Sequence, residues 1–323
     1  NLSSSCTNVV YLAGDYPYTQ VLFVMYQVTG GTTFSSLGAV NFLHSQAYDG
    51  TAVLGFYGEV RFENFTAAGF FPYIVSYNTH IHFTSCNITF ATGARVASNN
   101  AMTVFVEKNT YLKFVDAFTM DTDQTGAGIT LTIDSSILEA DSGAGYIEWN
   151  TNLGDSVSIT NSYIRNVRFF RSGPFFVNNS IITSEASVGL LVSTAANSDF
   201  TVLNSIINGS DNALPPLTVI PIGNILLKNV SWTRNTPLYP LDGNSQVSMN
   251  SVTLDEVNVV MNSGWPFIGI NAISPPSTMV SLTVTRSSFT NTQSSNSFGT
   301  FYVDLDWSQS LNLELSTTTY SGS

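Results

Sequence analysis

The chain has 323 residues, of which 43% are apolar and only 10% are charged. Its formal charge is −12, from 22 acidic and 10 basic residues, which disfavours nucleic acid or an anionic membrane surface as a partner, because both need clustered Lys and Arg. The longest apolar run, from Val21 to Met25, is far too short to span a bilayer.

With so few charges, the polar surface must come mostly from Ser, Thr and Asn, which favour strands and turns, so we predict an all-β protein. Residues 1–57 come first and are rich in Gly and aromatic residues, with predicted strands at 21–26 and 52–56. We expect this segment to form irregular amino-terminal coils or a cap. Its aromatic side chains are candidates for a contact surface: Tyr11, Tyr16, Tyr18 and Phe23.

From residue 58 onward a short pattern recurs: two apolar residues at i and i+2, then Asn or Ser, a small residue and another apolar residue. It is clearest where Val157 and Ile159 precede Asn161 and Ile164 follows. We call the Asn/Ser position the turn mark. Over nine intervals covering 222 residues the mark recurs at Asn64, Ser85, Asp116, Ser135, Asn161, Asn179, Asn204, Asn229, Ser251 and Arg286.

The alternation before each mark is typical of a strand with one buried face, and the apolar phase slips after the mark, which indicates a bend. Asn tolerates the left-handed backbone, and stacked Asn side chains can bond between coils. A third strand is visible in several repeats, as in residues 301–305. We therefore predict that 58–323 is one continuous solenoid of roughly ten coils. Its structural turn column is Asn64, Ser85, Ser135, Asn161, Asn179, Asn204, Asn229 and Ser251.

These features resemble the right-handed parallel β-helix proteins called pectin-lyase-like, over roughly residues 58–315. The resemblance implies a right-handed, three-sheet parallel β-helix and makes polysaccharide cleavage an activity to test. The hydrolases of that group carry Asn-Thr-Asp, Asp-Asp, Gly-His-Gly and Arg-Ile-Lys, and this sequence has none of them. Its histidines, His44, His80 and His82, stand in no such motif. The resemblance therefore supports a fold and leaves the activity open.

Acidic residues concentrate between Phe114 and Ile164, where eight acids occur without any Lys or Arg. The simplest interpretation is an acidic, solvated surface, so we predict no cofactor. The alternative is a Ca²⁺ site, because Ca²⁺ takes six to eight oxygen ligands. The candidate ligands are Asp116, Asp121, Asp123, Asp134, Glu139 and Asp141.

Asp304 and Asp306 alternate with apolar residues, so both carboxylates lie on one face of a strand, about 6.5–7 Å apart. That spacing would suit the carboxylate pair of an inverting glycosidase. Any exposed strand with two acids has the same arrangement. We predict no catalytic residues and keep this pair as the alternative.

Six Asn-x-Ser/Thr sequons are candidate glycosylation sites: Asn1, Asn64, Asn87, Asn178, Asn208 and Asn229. If the turn column stacks inward, Asn64 and Asn229 cannot carry sugars, which favours Asn87, Asn178 and Asn208. Cys6 and Cys86 are compatible with one disulfide in an oxidising compartment, the alternative being two buried thiols. The first residue is Asn, which fits a removed secretory signal, so we expect an extracellular location.

The leading functional hypothesis is a non-catalytic structural or adhesive protein, for example a subunit of an extracellular filament, appendage or coat. It rests on the lack of a catalytic motif and on the low charge. We expect self-association or other extracellular proteins as partners, with glycans as a further class. The alternatives are a polysaccharide lyase or glycoside hydrolase with a divergent site, and a trimeric phage-type spike that binds glycans.

Overall fold

The structure is a computed structural model. It describes residues 8–16, 22–25, 31–42, 53–56, 59–69, 73–76, 80–90, 94–98, 100–115, 118–122, 128–141, 146–150, 156–184, 192–194, 199–209, 217–218, 224–233, 238–239, 251–261, 267–272, 279–292, 301–305 and 310–322. Regular structure in these ranges is entirely β-strand, and the strands pair in parallel. Among the same residues, no helix has the length and apolar character needed to cross a membrane. The predicted fold class, an all-β parallel β-solenoid, is confirmed.

The chain divides into two compact units, residues 1–162 and 163–323. The first unit contains two sets of parallel strands. One set is β1 (Asn8–Tyr16), β3 (Thr32–Phe42), β5 (Val60–Glu63), β6 (Thr66–Gly69), β8 (His80–Thr84), β9 (Asn87–Phe90), β11 (Met102–Glu107), β12 (Tyr111–Phe114), β14 (Ile129–Asp134), β15 (Ile137–Ala140) and β17 (Ser156–Thr160). The other set is β2 (Leu22–Met25), β4 (Val53–Phe56), β7 (Tyr73–Ser76), β10 (Ala94–Ser98), β13 (Phe118–Thr122) and β16 (Tyr146–Asn150).

The second unit has the same organisation. Its main strands are β18 (Tyr163–Arg165), β20 (Phe175–Asn178), β21 (Ile181–Ser184), β23 (Phe200–Gly209), β25 (Asn224–Thr233), β27 (Ser251–Met261), β29 (Met279–Thr285), β30 (Ser288–Asn291), β32 (Ser310–Ser316) and β33 (Thr319–Gly322). The remaining strands are β19 (Arg168–Ser172), β22 (Val192–Thr194), β24 (Leu217–Thr218), β26 (Leu238–Tyr239), β28 (Ile268–Ala272) and β31 (Phe301–Leu305).

One coil consists of three short strands, as in β8, β9 and β10, with the turn mark between the first two. Each strand pairs with its equivalent in the neighbouring coil, so that Val60, Ile81 and Val104 are in register. In the first unit the ladder of first strands runs through β1, β3, β5, β8, β11, β14 and β17. The described part of residues 8–42 therefore belongs to the ladder and includes a bulge between Leu12 and Gly14.

The number of coils differs from the roughly ten predicted, because among the described residues the ladder of first strands has seven members in the first unit and six in the second. The sequence count missed coils that carry no Asn or Ser mark. It missed those of β1 and β3, and it missed the coil of β32 and β33, whose left-handed residue is Thr317. The sequence count relied on the side chain at the turn mark, whereas a coil is defined by the backbone pairing of its strands.

The core consists of inward columns in which like side chains stack from coil to coil. Phe34, Phe62 and Phe83 form one column, with ring centroids 5.3 and 5.2 Å apart and nearly parallel planes. In the second unit Phe175 and Phe200 stack in the same way at 5.7 Å. Because all of these rings are buried, each contributes both apolar burial and an offset-stacking interaction of about 0.5–1.5 kcal/mol per pair.

Left-handed backbone marks the bend in almost every coil of the described residues. Positive φ angles of 48–61° occur at Asn64, Ser85, Lys108, Asn109, Ser135, Asn161, Asn179, Asn204, Asn229, Glu256, Arg286 and Thr317. Seven of the eight residues of the predicted turn column are in this set. Asn is frequent there because its short polar side chain lowers the strain of the left-handed conformation.

Two of the predicted marks are misplaced. Ser251 is the first residue of β27, and the left-handed residue of that coil is Glu256, which follows Val252 and Leu254 at the expected apolar spacing. Asp116 lies outside the described residues, and its coil bends at Lys108 and Asn109. In both cases the apolar pattern matched the wrong segment of the coil: Leu112 and Phe114 before Asp116 lie in β12, after the bend, and the residues before Ser251 precede β27.

Candidate functional site

Five ionisable side chains meet on the outward face of the first unit. We call them the charged cluster: Glu59, Arg61, Glu63, His82 and Glu107. The strands β5, β8 and β11 alternate buried and outward residues, so their polar side chains all lie on one surface. Parallel register places Arg61 beside His82, and His82 beside Phe105. Three successive coils therefore contribute to the cluster.

His82 lies at the centre of the charged cluster. Its Nε2 is 2.9 Å from Glu59 Oε1, and the Arg61 guanidinium donates to the same oxygen. On the other side, His82 Nδ1 is 3.6 Å from Glu107 Oε1, too long for a hydrogen bond. Arg61 also lies 3.9 Å from Glu63 Oε1. One histidine thus connects carboxylates from the coils on either side of it.

The surroundings of His82 keep its imidazole neutral at pH 7. The ring stacks on Phe105 with centroids 4.5 Å apart, and only 12% of the side chain is exposed. This burial, and secondarily the positive charge of Arg61, lowers the pKa of His82, while Glu59 and Glu107 oppose the shift. With Nε2–H donating to Glu59, Nδ1 carries a lone pair. That atom is buried without a hydrogen-bond partner in the described structure.

The charged cluster can therefore accept a proton at a buried nitrogen, the Nδ1 of His82. It contains the elements of general acid–base chemistry, a neutral imidazole and three carboxylates, of which Glu59 and Glu107 flank the ring. No group of three or more His, Cys, Asp or Glu suited to a metal ion is present among the residues that the structure describes.

A second ionic network lies in the second unit, around Asp255. The carboxylate accepts a hydrogen bond from Thr285 Oγ1 at 2.7 Å, and Arg286 Nη2 and Lys228 Nζ lie 2.6 and 3.5 Å away. The Thr285 hydroxyl, followed by the charges of Arg286 and Lys228, lowers the pKa of Asp255. Arg286 also pairs with Glu256 at 3.0 Å. Its charges are mutually paired, so we interpret this network as structural.

Acid and hydroxyl side chains pair across neighbouring coils at the position before the turn mark. Asp134 Oδ1 accepts from Thr160 Oγ1 at 2.6 Å and from Asn161 Nδ2 at 2.8 Å. These hydrogen bonds, that of Thr160 first, lower the pKa of Asp134. Thr84 donates to Glu107 in the same way at 3.2 Å. Together with Thr285 and Asp255, these pairs link coils by charge-assisted hydrogen bonds.

The alternative of a Ca²⁺ site receives no geometric support in the described part of the chain. Glu139 accepts from Tyr111 OH at 2.8 Å, Asp141 pairs with Lys113 at 2.9 Å, and Asp134 bonds to Thr160. These three acids therefore have separate partners. Only the backbone of Asp121 is described, in β13, while Asp116 and Asp123 lie outside the described residues.

The alternative catalytic pair also falls at the limit of what is described. Asp304 lies in β31, where its backbone is in register with Asn271, but its side chain is not described. Asp306 lies outside the described residues. The catalytic alternative for this pair stays a prediction.

The turn column points outward, contrary to the inward stacking assumed from the sequence. Asn64, Asn204 and Asn229 are exposed. Asn229 Nδ2 donates to Asn204 Oδ1 at 3.0 Å, and Asn204 Nδ2 donates to Asn178 Oδ1 at 2.9 Å. The reason against sugars on Asn64 and Asn229 therefore disappears. Asn87 and Asn208 are exposed as well, Asn178 is half-buried, and Asn1 lies outside the described residues.

Cys86 is a free, buried thiol in the structure, and Cys6 lies outside the described residues. The thiol donates to Phe62 O at 3.0 Å, and burial raises the pKa of Cys86 to about 11. A thiol with so high a pKa is a poor nucleophile at pH 7.

A buried hydroxyl ladder follows the turn column and was missed in the sequence. The residue after the mark is often Ser or Thr, and its hydroxyl accepts a backbone N–H from the preceding coil. Ser287 Oγ accepts from Val257 N at 3.0 Å and donates to Thr285 O at 2.8 Å. Further members among the described residues are Thr110, Ser162 and Ser205. The recurrence of Ser directly after the turn mark in the sequence could have indicated this ladder.

The charged cluster was also missed. Its signal was the alternation of His80 and His82 with buried residues, aligned on Arg61 one repeat earlier. Comparisons with known protein families, with curated proteins and with solved structures found no match to this chain. Its function must therefore be argued from the geometry alone.

Proposed function

We propose that the chain is a non-catalytic structural or adhesive protein that acts outside the cell as a subunit of a filament, appendage or coat. The observation that carries this proposal is the use of polar side chains to join coils. The outward amides of Asn178, Asn204 and Asn229 bond to one another. The acids at Asp134 and Asp255 bond to hydroxyls of the next coil. Such groups stabilise the solenoid and leave few charges free for chemistry.

Self-association is part of the proposal, with a second copy of this chain as the partner. Leu313 and Leu315 of β32 are 51% and 49% exposed. They are in register with Leu282 and Val284 of the previous coil, which are fully buried. These leucines therefore continue an inward apolar column and favour contact with another apolar surface.

Negative-stain imaging and sedimentation of the full chain would test this proposal. We expect concentration-dependent assemblies that disappear in the double variant Leu313→Ser/Leu315→Ser. Leu37→Ser is the matched control, because Leu37 is 77% exposed in the first unit and belongs to no buried column. A wild-type protein that stays monomeric at every concentration would contradict self-association.

A second candidate is a polysaccharide lyase or hydrolase, and the charged cluster is the observation that favours it. His82 is held neutral between Glu59 and Glu107, as a general base requires. Incubation with pectin and with alginate, followed by measurement of new chain ends, would test this candidate. Loss of cleavage in His82→Gln, with cleavage retained in His80→Gln, would support the enzyme and overturn the non-catalytic proposal. Absence of cleavage by the wild type would contradict the enzyme.

A further inference from the structure

His82 is surrounded by groups whose charges oppose one another. The preceding coil contributes Glu59, Arg61 and Glu63; its own strand contributes His80 and Thr84; and the following coil contributes Phe105 and Glu107. Arg61 and His82 both donate to the same oxygen, Glu59 Oε1. The neutral imidazole therefore shares its one acceptor with a guanidinium.

The other ring nitrogen, Nδ1, lacks a hydrogen-bond partner in the described structure. In the neutral form Nδ1 presents a lone pair to Glu107 Oε1 at 3.6 Å, so that two acceptors face each other. Nδ1 is also buried. A proton at Nδ1 would convert this contact into a charge-assisted hydrogen bond.

We propose that His82 is an acid-operated bridge between three successive coils. A hydronium ion of the solvent releases the proton, which binds the Nδ1 lone pair. The imidazole keeps its Nε2–H bond. The imidazolium then donates from Nδ1 to Glu107 and from Nε2 to Glu59. Because Arg61 and the imidazolium repel each other at Glu59, Arg61 shifts to Glu63, whose Oε1 is already 3.9 Å away. This device does not depend on the function proposed above.

The bridge forms on the acid side of neutrality. Burial and Arg61 hold the pKa of His82 below its ordinary value near 6.5. Because the folded-state pKa lies below the unfolded value, the neutral imidazole contributes stability that is full above pH 6.5 and decreases as the pH falls toward the folded-state pKa. Acidification therefore rearranges the charged cluster and weakens the first unit at the same time.

Nuclear magnetic resonance of the full chain with ¹⁵N-labelled histidine tests the bridge between pH 8 and pH 4. Wild-type His82 is expected to have its proton on Nε2 at pH 8 and to gain one on Nδ1 below pH 6.5. His44→Gln and His80→Gln each remove one of the three histidine signals, so the signal that both variants retain is that of His82. A wild-type His82 with its proton on Nδ1 at pH 8 would overturn the proposal, and this measurement needs no variant within the charged cluster.

Two variants test the named partners. Glu107→Gln should lower the pKa of His82, because an attractive charge is lost, and Arg61→Gln should raise it, because a repulsive charge is lost. Glu139→Gln is the matched control outside the cluster and should leave the titration unchanged. Equal titration curves for wild type, Glu107→Gln and Arg61→Gln would overturn the bridge, as would an Arg61 that still contacts Glu59 in a crystal structure at acid pH.

Discussion

Removal of one buried hydroxyl from the ladder tests how the coils are held together. In the change Ser287→Ala, the amide of Val257 loses the Oγ that it donates to at 3.0 Å, and the carbonyl of Thr285 loses a donor at 2.8 Å. Val257 and Ser287 are both buried. An unsatisfied buried donor costs about 1–3 kcal/mol, so we expect Ser287→Ala to lower the local free energy of unfolding by about 2 kcal/mol.

Ser288→Ala is the matched control, since it removes the neighbouring hydroxyl. Ser288 Oγ donates to Asn258 Oδ1 at 2.7 Å in an exposed hydrogen bond. Exposed contacts of this kind contribute within about 0.5 kcal/mol. The two substitutions are chemically the same and differ only in whether the hydroxyl faces the core.

Native-state hydrogen exchange at the Val257 amide is the appropriate assay, because the stability of a solenoid is local and not a single global transition. A loss of about 2 kcal/mol corresponds to exchange about thirtyfold faster. The reasoning would be refuted if Ser287→Ala changed the exchange of Val257 by less than about threefold, or if Ser288→Ala changed it as much.

Two further predictions concern the outward columns. Thr285→Val removes the hydroxyl that most strongly lowers the pKa of Asp255. A lowered carboxylate pKa stabilises the fold at pH values above the unfolded-state pKa of about 3.9. In urea titrations the wild type should therefore have a higher free energy of unfolding than the variant at pH 7, and this difference should shrink below about pH 4. A pH-independent difference would contradict this. Asn204 has a φ of 48°, so Asn204→Ala should lower the free energy of unfolding by about 1 kcal/mol more than Asn204→Gly, because glycine avoids the left-handed strain. Equal urea midpoints for the two variants would contradict this prediction.

The sequence was sufficient to predict the fold class because the apolar alternation and the Asn bends repeat. Asn161 and Asn179 stand at bends since few residues other than Gly and Asn tolerate a positive φ without strain. Glu256 and Lys108 were missed because propensity is a preference, and other contacts can hold a different residue in the same conformation. Glu256, for example, is paired with Arg286.

The charged cluster could not be predicted in the same way. His82, Glu59 and Glu107 are separated by about one coil each, and coil length varies along the chain. Without the exact register, a charged residue could face any of several neighbours in the adjacent coil. The direction of the Asn side chains, inward or outward, could not be predicted either, because it depends on the backbone geometry of the bend.

The position of Thr84 between two acids limits which coils this chain can lose. Glu63, Thr84 and Glu107 occupy one column on three neighbouring strands. Deletion of the coil that carries Thr84 would bring the two glutamates to adjacent strands, about 4.8 Å apart, where like charges are destabilising. Loss of this one coil by unequal recombination would therefore place two acids side by side, and a shortened descendant would be more stable with a basic or neutral residue at one of them.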